Sequence, residues 1–493
     1  MFLKKFVNKE DFLKLQIIEA LFSSDLPISY SDILGKLGIS KFLLNKSIDS
    51  LHNDFHDLSL KSKIIVNIRF SQNYIDFHCE DDALLQKLQI KYIEQSLSFQ
   101  ILYELFPSGK YSIDSLSLRL NCSNMTIRRC LDKINHVLSS ISLHMKSGEL
   151  VGNPTNKYLL YYQLFILVQP KEIIYKITKE QFVLAEKMLD TITDIPHTTD
   201  SIFRLGLWIE IIKHMSQFQH LDNNLRRVSE IEPSFKKILA LYTQNTNSAK
   251  LLPRKINNVA KLIYYFILSV HPFNLKYTKK NITSILHREA SKIDDFCINS
   301  IYSFLENKHK LSYKPLSAHS LLRRCLTQLH IQVISFNGNI LYSEFLDYLP
   351  IPQYSAFKNV DRLITLISTK IETDLAVALT QHALSILSKV YLTLLVEIIS
   401  PSANQSLTSI GVLSYKGTIS TQLLLNSLGK QFSTLVGTVI EVAIPNKKYS
   451  LLITDSSDLS QHYIFEDLYI IKSPQCSLYD FQQLKNKILS PHL

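Results

Sequence analysis

At 493 residues the chain is too long for one hydrophobic core and is expected to hold roughly three to five domains. Its 46% hydrophobic and 20% charged content excludes wholesale disorder, and no apolar run reaches the roughly 18–20 residues that a membrane span requires. The formal charge of +11 admits a polyanionic partner, but the excess is spread along the chain and selects none by itself.

The N-terminus, MFLKKFVNKED, carries lysines with no apolar core behind them, so it is not a secretory signal. The first 80 residues read as an amphipathic helix over Glu10–Ser23, a break at Pro27 and a short helix over Ser31–Leu37. Gly38 then makes a turn, and Ser40 caps a helix running to about Phe55. A hairpin follows, from Ile64–Phe70 through Ser71-Gln72-Asn73 to Tyr74–Phe77.

The stretch Tyr111–Tyr158 has the same plan. A helix over Ser112–Leu120 ends at Asn121-Cys122, and Ser123 caps a second helix whose Ile127, Leu131, Ile134 and Leu138 share one face. Ser142–Met145 and Leu150–Val151 pair around Lys146-Ser147-Gly148-Glu149. Helix, turn, basic helix and hairpin is the order of a winged helix-turn-helix, whose second helix enters the DNA major groove. An ordinary helical hairpin with a solvated charged face is the alternative. A shift of 83 residues lays Leu37 on Leu120, Gly38 on Asn121, Ser40 on Ser123, Ile48 on Leu131 and Leu51 on Ile134, and this repetition favours the first reading.

The two copies differ in what they offer a duplex. In the second, Ser123, Asn124, Met125, Arg128, Arg129 and Lys133 lie at the start or on the outward faces of the helix, with Lys146 in the wing. Arginine can pair bidentately with a guanine edge, so this helix is expected to read bases. In the first, Lys41, Phe42, Asn45, Lys46 and Asp49 point outward, with Lys61, Lys63 and Arg69 near the wing. Lysine more often meets phosphate, so Lys41, Asn45, Lys46, Lys61 and Lys63 are expected to add backbone contacts and register.

From about Leu159 to Ser388 the chain becomes a series of amphipathic helices, expected as two all-helical domains dividing near Pro272–Lys280. Those expected over Ile282–His287 and Tyr342–Tyr348 are the shortest. The last hundred residues alternate strand and helix: strands over Ser409–Tyr415, Val436–Ile444, Tyr449–Thr454 and Ile464–Ile471, with helices over Ile419–Phe432 and Ser477–Leu489. That order predicts a small parallel sheet. The expected fold class is therefore mainly α, with domains at 1–85, 86–160, 161–275, 276–390 and 391–493.

No P-loop, G-x-G-x-x-G, H-E-x-x-H or G-x-S-x-G signature occurs, and the expectation is a non-enzyme without cofactor or metal. The six cysteines form no C-x-x-C pair, which argues against a zinc site or disulfide framework and for a reduced, cytoplasmic protein. The cluster Asp455-Ser456-Ser457-Asp458 with His462 behind it reads as a polar loop between two strands.

In layout, and most specifically in LPISYSDILGKLGISKFLLNKSIDSLHNDF at Leu26–Phe55 and in Ser123–Leu143 followed by ELVGNPTNKYLLYY, the chain resembles the Mga and RofA-like regulators, with the RofA-like branch the closer. The resemblance covers nearly the whole chain. It implies a cytoplasmic DNA-binding regulator of surface and virulence genes, with central domains like phosphotransferase-system regulation domains (PRD-like). It also implies a C-terminal domain like an EIIB sugar-transport component, associated with self-assembly. Active EIIB proteins carry a phosphorylated cysteine after the first strand. Here that loop, Tyr415–Thr421, has none, so dimerisation is the role expected of this domain.

Histidines of such regulation domains can accept phosphate, and of those in the central region His214, His287 and His319 are the candidates. The expected partners are double-stranded promoter DNA, a second copy of the chain and a phosphotransferase-system phosphocarrier protein, with no membrane. The function expected is a sequence-specific transcriptional regulator, an activator that binds promoter DNA as a dimer. Two alternatives stand beside it: a phosphotransferase-coupled sensor working through protein contacts, and a general nucleoid-type binder with steep salt dependence and no sequence preference.

Overall fold

The helix, turn, helix and hairpin plan occurs twice in the computed structural model. The structure describes residues 3–22, 28–62, 66–71, 74–79, 83–174, 177, 179–192, 197–216, 232–245, 253–269, 285–304, 321–341, 360–375, 377–399, 408–432, 438–456, 462–471, 477, 480–481, 483–484 and 487. The chain divides into two compact units, residues 3–96 with 402–493, and residues 97–401. The first winged helix thus shares a unit with the C-terminal sheet.

In the first unit, α1 (Lys9–Phe22) precedes strand β1 (Ile28–Ser29), α2 (Tyr30–Leu37), α3 (Lys41–Ser62), β2 (Val66–Ser71), β3 (Tyr74–Cys79) and α4 (Leu84–Gln95). The strands form an antiparallel sheet in the order β1-β3-β2. Helix α3 continues past the expected end at Phe55, because no Gly or Pro breaks the chain before Ser62 and its middle is tied down from two sides. There Asp54 accepts from Lys14 of α1 at 2.8 Å, from Lys91 of α4 at 2.8 Å and from the Tyr92 hydroxyl at 2.6 Å.

Burial pushes the Asp54 carboxyl up, but the hydrogen bonds from Lys14, Lys91 and Tyr92 outweigh it and leave the group below its ordinary value. A carboxylate held down in the fold contributes stability that is complete above the unfolded value and is lost as pH falls through the folded one. Between pH 5 and pH 2, the thermal midpoint of this unit is therefore expected to fall more steeply in the wild type than in Asp54→Asn. Circular dichroism melts of the two proteins, in which parallel curves would refute the assignment, supply the check.

The second unit begins with α5 (Leu97–Leu105), α6 (Ile113–Arg119), α7 (Asn124–Leu138), the hairpin β4 (Leu143–Lys146) with β5 (Glu149–Gly152), and α8 (Pro154–Val168). Next come α9 (Lys171–Ile174), α10 (Lys179–Leu189), α11 (Thr199–Met215), α12 (Pro233–Asn245) and α13 (Pro253–Ser269). The series closes with α14 (Ile285–Phe304), α15 (Leu321–Ser335), α16 (Val360–Leu375) and α17 (Gln381–Ile399). Helix α8 is buried on nearly every face, because it serves two neighbours at once. Tyr161 donates to the Leu102 carbonyl of α5, while Tyr162 meets Trp208 of α11 edge-on. Trp208 in turn stacks on Phe266 of α13, centroids 4.6 Å apart, and faces Phe336. One aromatic seam therefore runs from the helix-turn-helix region into the helices behind it.

The C-terminal residues of the first unit contribute β6 (Thr408–Leu413), α18 (Thr418–Phe432), β7 (Thr438–Val442), β8 (Lys448–Thr454) and β9 (Ile464–Ile470). All pairings are parallel, in the order β7-β6-β8-β9, as the alternation of strand and helix predicts. Of the expected closing helix, Ser477 is described and lies outside a helix, while residues 480, 481, 483, 484 and 487 are described and helical. The expected helix over Tyr342–Tyr348, the wing turn at Gln72-Asn73 and the division near Pro272–Lys280 lie outside the described residues. The short helix expected over Ile282–His287 is described only from Ile285, as the start of α14. No described helix is long and apolar enough to cross a membrane.

Candidate nucleic-acid interface

The repeat seen in sequence extends to the caps. Ser29 accepts from the Asp32 N–H and Ser112 from the Ser115 N–H, opening α2 and α6. Ser40 accepts from the Leu43 N–H at 3.2 Å and Ser123 from the Thr126 N–H at 3.1 Å, opening α3 and α7. Between each pair of helices one residue takes a left-handed conformation, Gly38 at φ 64° and Asn121 at φ 50°. Glycine and asparagine tolerate that region best, so the turn chemistry agrees with the backbone. The register breaks only afterwards, since α3 has 22 residues and α7 has 15.

Helix α7 buries Ile127, Leu131, Ile134, Val137 and Leu138 and exposes Asn124, Met125, Arg128, Arg129 and Lys133. Asn135 holds it to the wing, accepting from the Met145 N–H and donating to the Met145 carbonyl. In the hairpin, Ser147 at φ 52° and Gly148 at φ 82° form the two-residue turn that positive φ at both positions favours. Lys146 and Glu149 pair across it, and Lys146 is exposed. Tyr111 donates its N–H to the Gly148 carbonyl at 2.7 Å, adding a third backbone segment to the wing. A Cβ on Gly148 would lie 2.6 Å from the Tyr111 carbonyl oxygen. Gly148→Ala is therefore expected to cost about 1–3 kcal/mol, combining left-handed strain with that clash. Its thermal melt, compared with that of Ser147→Ala, measures the penalty.

The two exposed helix faces differ in how far the chain already uses them. In the first copy Tyr30 donates to Asn45 at 3.3 Å, the Lys41 ammonium lies 4.9 Å from the Tyr30 ring centre, and Lys46 pairs with Glu10 at 3.4 Å. In the second, Asn124 donates to Asp114 at 2.8 Å. Among the described residues, Arg128 and Arg129 are exposed and make no hydrogen bond or ion pair within the chain. Two adjacent guanidiniums at the entering end of a capped helix are thus left to meet an external anion. Lys61 lies in the last turn of α3 with its side chain outside the description, and Lys63 is outside the described residues altogether.

Residues 81–165 match the family model of the Mga helix-turn-helix domain. The segment spans α4 to most of α8, and so takes in the whole second copy. It is the helix-turn-helix domain of a DNA-binding transcriptional regulator. No curated protein matches the chain.

The histidine candidates fall in different surroundings. His214, in the last turn of α11, stacks on Phe106 with ring centroids 4.5 Å apart, beside the helix-turn-helix region. His287 lies in the first turn of α14 with its side chain outside the description, and His319 is outside the described residues. Sequence reading passed over His330, which is wholly buried between Asp294 and Tyr391. The signal was present as polar residues at helical spacing on otherwise apolar faces, Asp294 with Cys297 and Thr327 with His330.

The C-terminal loop also has an internal role for an acidic residue. Asp455 accepts from the Ser414 hydroxyl and from the Tyr415 N–H at 2.8 Å, at the carboxyl ends of β8 and β6. Its carboxylate thus occupies donors that an anion at this loop would need.

Proposed function

We propose that the chain is a sequence-specific transcriptional activator of the Mga and RofA-like type, RofA-like rather than Mga-like, acting on surface and virulence genes as a dimer. One observation carries the reading: α7 presents Arg128 and Arg129 to solvent on a helix whose other face is sealed, inside a segment that matches a Mga helix-turn-helix domain. Arginine's fork suits both the guanine edge and the phosphate rail beside it. In the first copy the polar side chains Lys41, Asn45 and Lys46 are already engaged inside the chain and supply register rather than hydrogen-bonded base reading. The parallel four-stranded sheet supports an EIIB-like domain turned to self-association, since Asp455 fills the loop and Tyr415–Thr421 has no cysteine.

The His214–Phe106 stack supports modulation through the phosphotransferase system: phosphate on that ring would add charge where α11 meets Phe106. Footprinting of the purified protein on genomic fragments at two salt concentrations tests the main reading. Protection of discrete sites that persists at the higher salt is the expected result. Protection without sequence preference, lost steeply with salt, would replace it with a nucleoid-type binder.

A further inference from the structure

Phe42 and Met125 are large apolar side chains held in water, 79% and 58% exposed. A single exposed apolar residue needs no explanation. These two, however, stand at one and the same place in the two copies, the second residue after the capping serines Ser40 and Ser123. Leu118, 84% exposed, makes the contrast, because the corresponding position in the first copy is Gly35. Side chains in a helix lean toward its N-terminus, so those of Phe42 and Met125 project toward the end that enters the groove. The polar positions three and four residues on are Asn45 and Lys46 in one copy, Arg128 and Arg129 in the other. Each apolar side chain is therefore followed along its helix by groups that hydrogen-bond base edges or phosphate.

Resting on the DNA-binding reading above, we propose that Phe42 and Met125 are specificity-determining residues, each packing against the C5-methyl group of a thymine in the major groove. The thymine methyl is the only apolar feature of a base pair's major-groove edge, so it is the partner that such a side chain can select. Covering it removes apolar surface of both groups from water. That gain is available at thymine and absent at uracil or cytosine, whose edges lack the methyl.

The test separates this proposal from its parent. Duplexes are selected from a random 30-base-pair pool with the full-length protein, and each thymine of the winning duplex is then replaced singly by deoxyuridine, which removes only the methyl. The wild type is expected to lose about three- to fivefold in affinity at two or more separate positions. Met125→Ala loses this discrimination at one of them and Phe42→Ala at another, while Arg128→Ala binds more weakly overall but keeps the discrimination at both. Indifference of the wild type to every deoxyuridine, or discrimination that survives in Met125→Ala and Phe42→Ala, overturns the proposal with DNA binding intact. Loss in one variant alone overturns the assignment of the other residue. A pool from which no duplex is enriched overturns the parent reading and this one together.

Discussion

Arg128→Ala and Arg129→Ala should each weaken binding to a selected duplex by about 1–3 kcal/mol, roughly 5- to 150-fold, where the guanidinium makes a bidentate base contact. Both side chains are exposed and carry no partner among the described residues, so their removal costs the fold little. A loss of affinity without a change in melting temperature is therefore the expected pair of observations. The specificity of the loss separates base contacts from phosphate contacts. An arginine that reads a base relaxes selection at one position, whereas Lys146→Ala in the wing should weaken all duplexes alike and reduce the log–log salt slope by about 1. Lys46→Ala makes a third comparison, since Lys46 is paired with Glu10 before any DNA arrives and must exchange that partner for phosphate. Its effect should be smaller than that of either arginine. Fluorescence anisotropy at fixed salt measures all four variants, and promoter affinity unchanged in both arginine variants removes the assignment of α7 as the reading helix.

What could be read from the chain alone follows from which signals are local. The apolar face of α7 was legible because Ile127, Leu131, Ile134 and Leu138 recur at the period of one helix, and burial follows directly from that period. The wing was legible at Gly148, where the turn needs positive φ. The repeat at 83 residues was legible because caps and turn residues are chosen by backbone geometry, which both copies share. The end of α3 was misplaced because its extension is held from outside the segment, by Lys91, which reaches Asp57 as well as Asp54. The engagement of Asn45 by Tyr30 and of Lys46 by Glu10 was illegible for the same reason: the partners are 15 and 36 residues away, and spacing says nothing about them.

That distinction also bears on how the two copies differ. On composition alone, Lys41, Asn45 and Lys46 form as plausible a polar face as Asn124, Arg128 and Arg129. Folding spends the first set on contacts within the chain and leaves both arginines of the second available. Duplication of a fold therefore does not duplicate its surface chemistry, and base reading is argued from the side chains that the fold leaves unoccupied.

Asp294→Ala is expected to cost the helical region of the second unit about 3–5 kcal/mol. The Asp294 carboxylate is 0% exposed, within 2.6 Å of His330 Nδ1, and it also accepts from the Thr327 hydroxyl. His330 Nε2 lies 3.0 Å from the Tyr391 hydroxyl. One proton arrangement gives every group a partner: Tyr391 donates to Nε2, and Nδ1–H and Thr327 donate to Asp294. Burial, reinforced by the neighbouring Cys297 and Asp294, pushes the Tyr391 hydroxyl well above its ordinary value, which keeps it a donor. Removing the carboxylate leaves the buried His330 Nδ1–H without an acceptor and the Thr327 hydroxyl with only the Arg323 carbonyl of its own helix, 2.9 Å away, and an orphaned buried donor costs more than its hydrogen bond contributed. Tyr391→Phe removes one link at the end of the chain and should cost about 1–2 kcal/mol. Hydrogen exchange of the amides of α14, α15 and α17 reads the effect locally, where a melt of the whole chain would mix several transitions. A larger loss for Asp294→Ala than for Tyr391→Phe, spread over all three helices, identifies the carboxylate as the group that holds them together. Equal losses would make the cluster a set of independent hydrogen bonds.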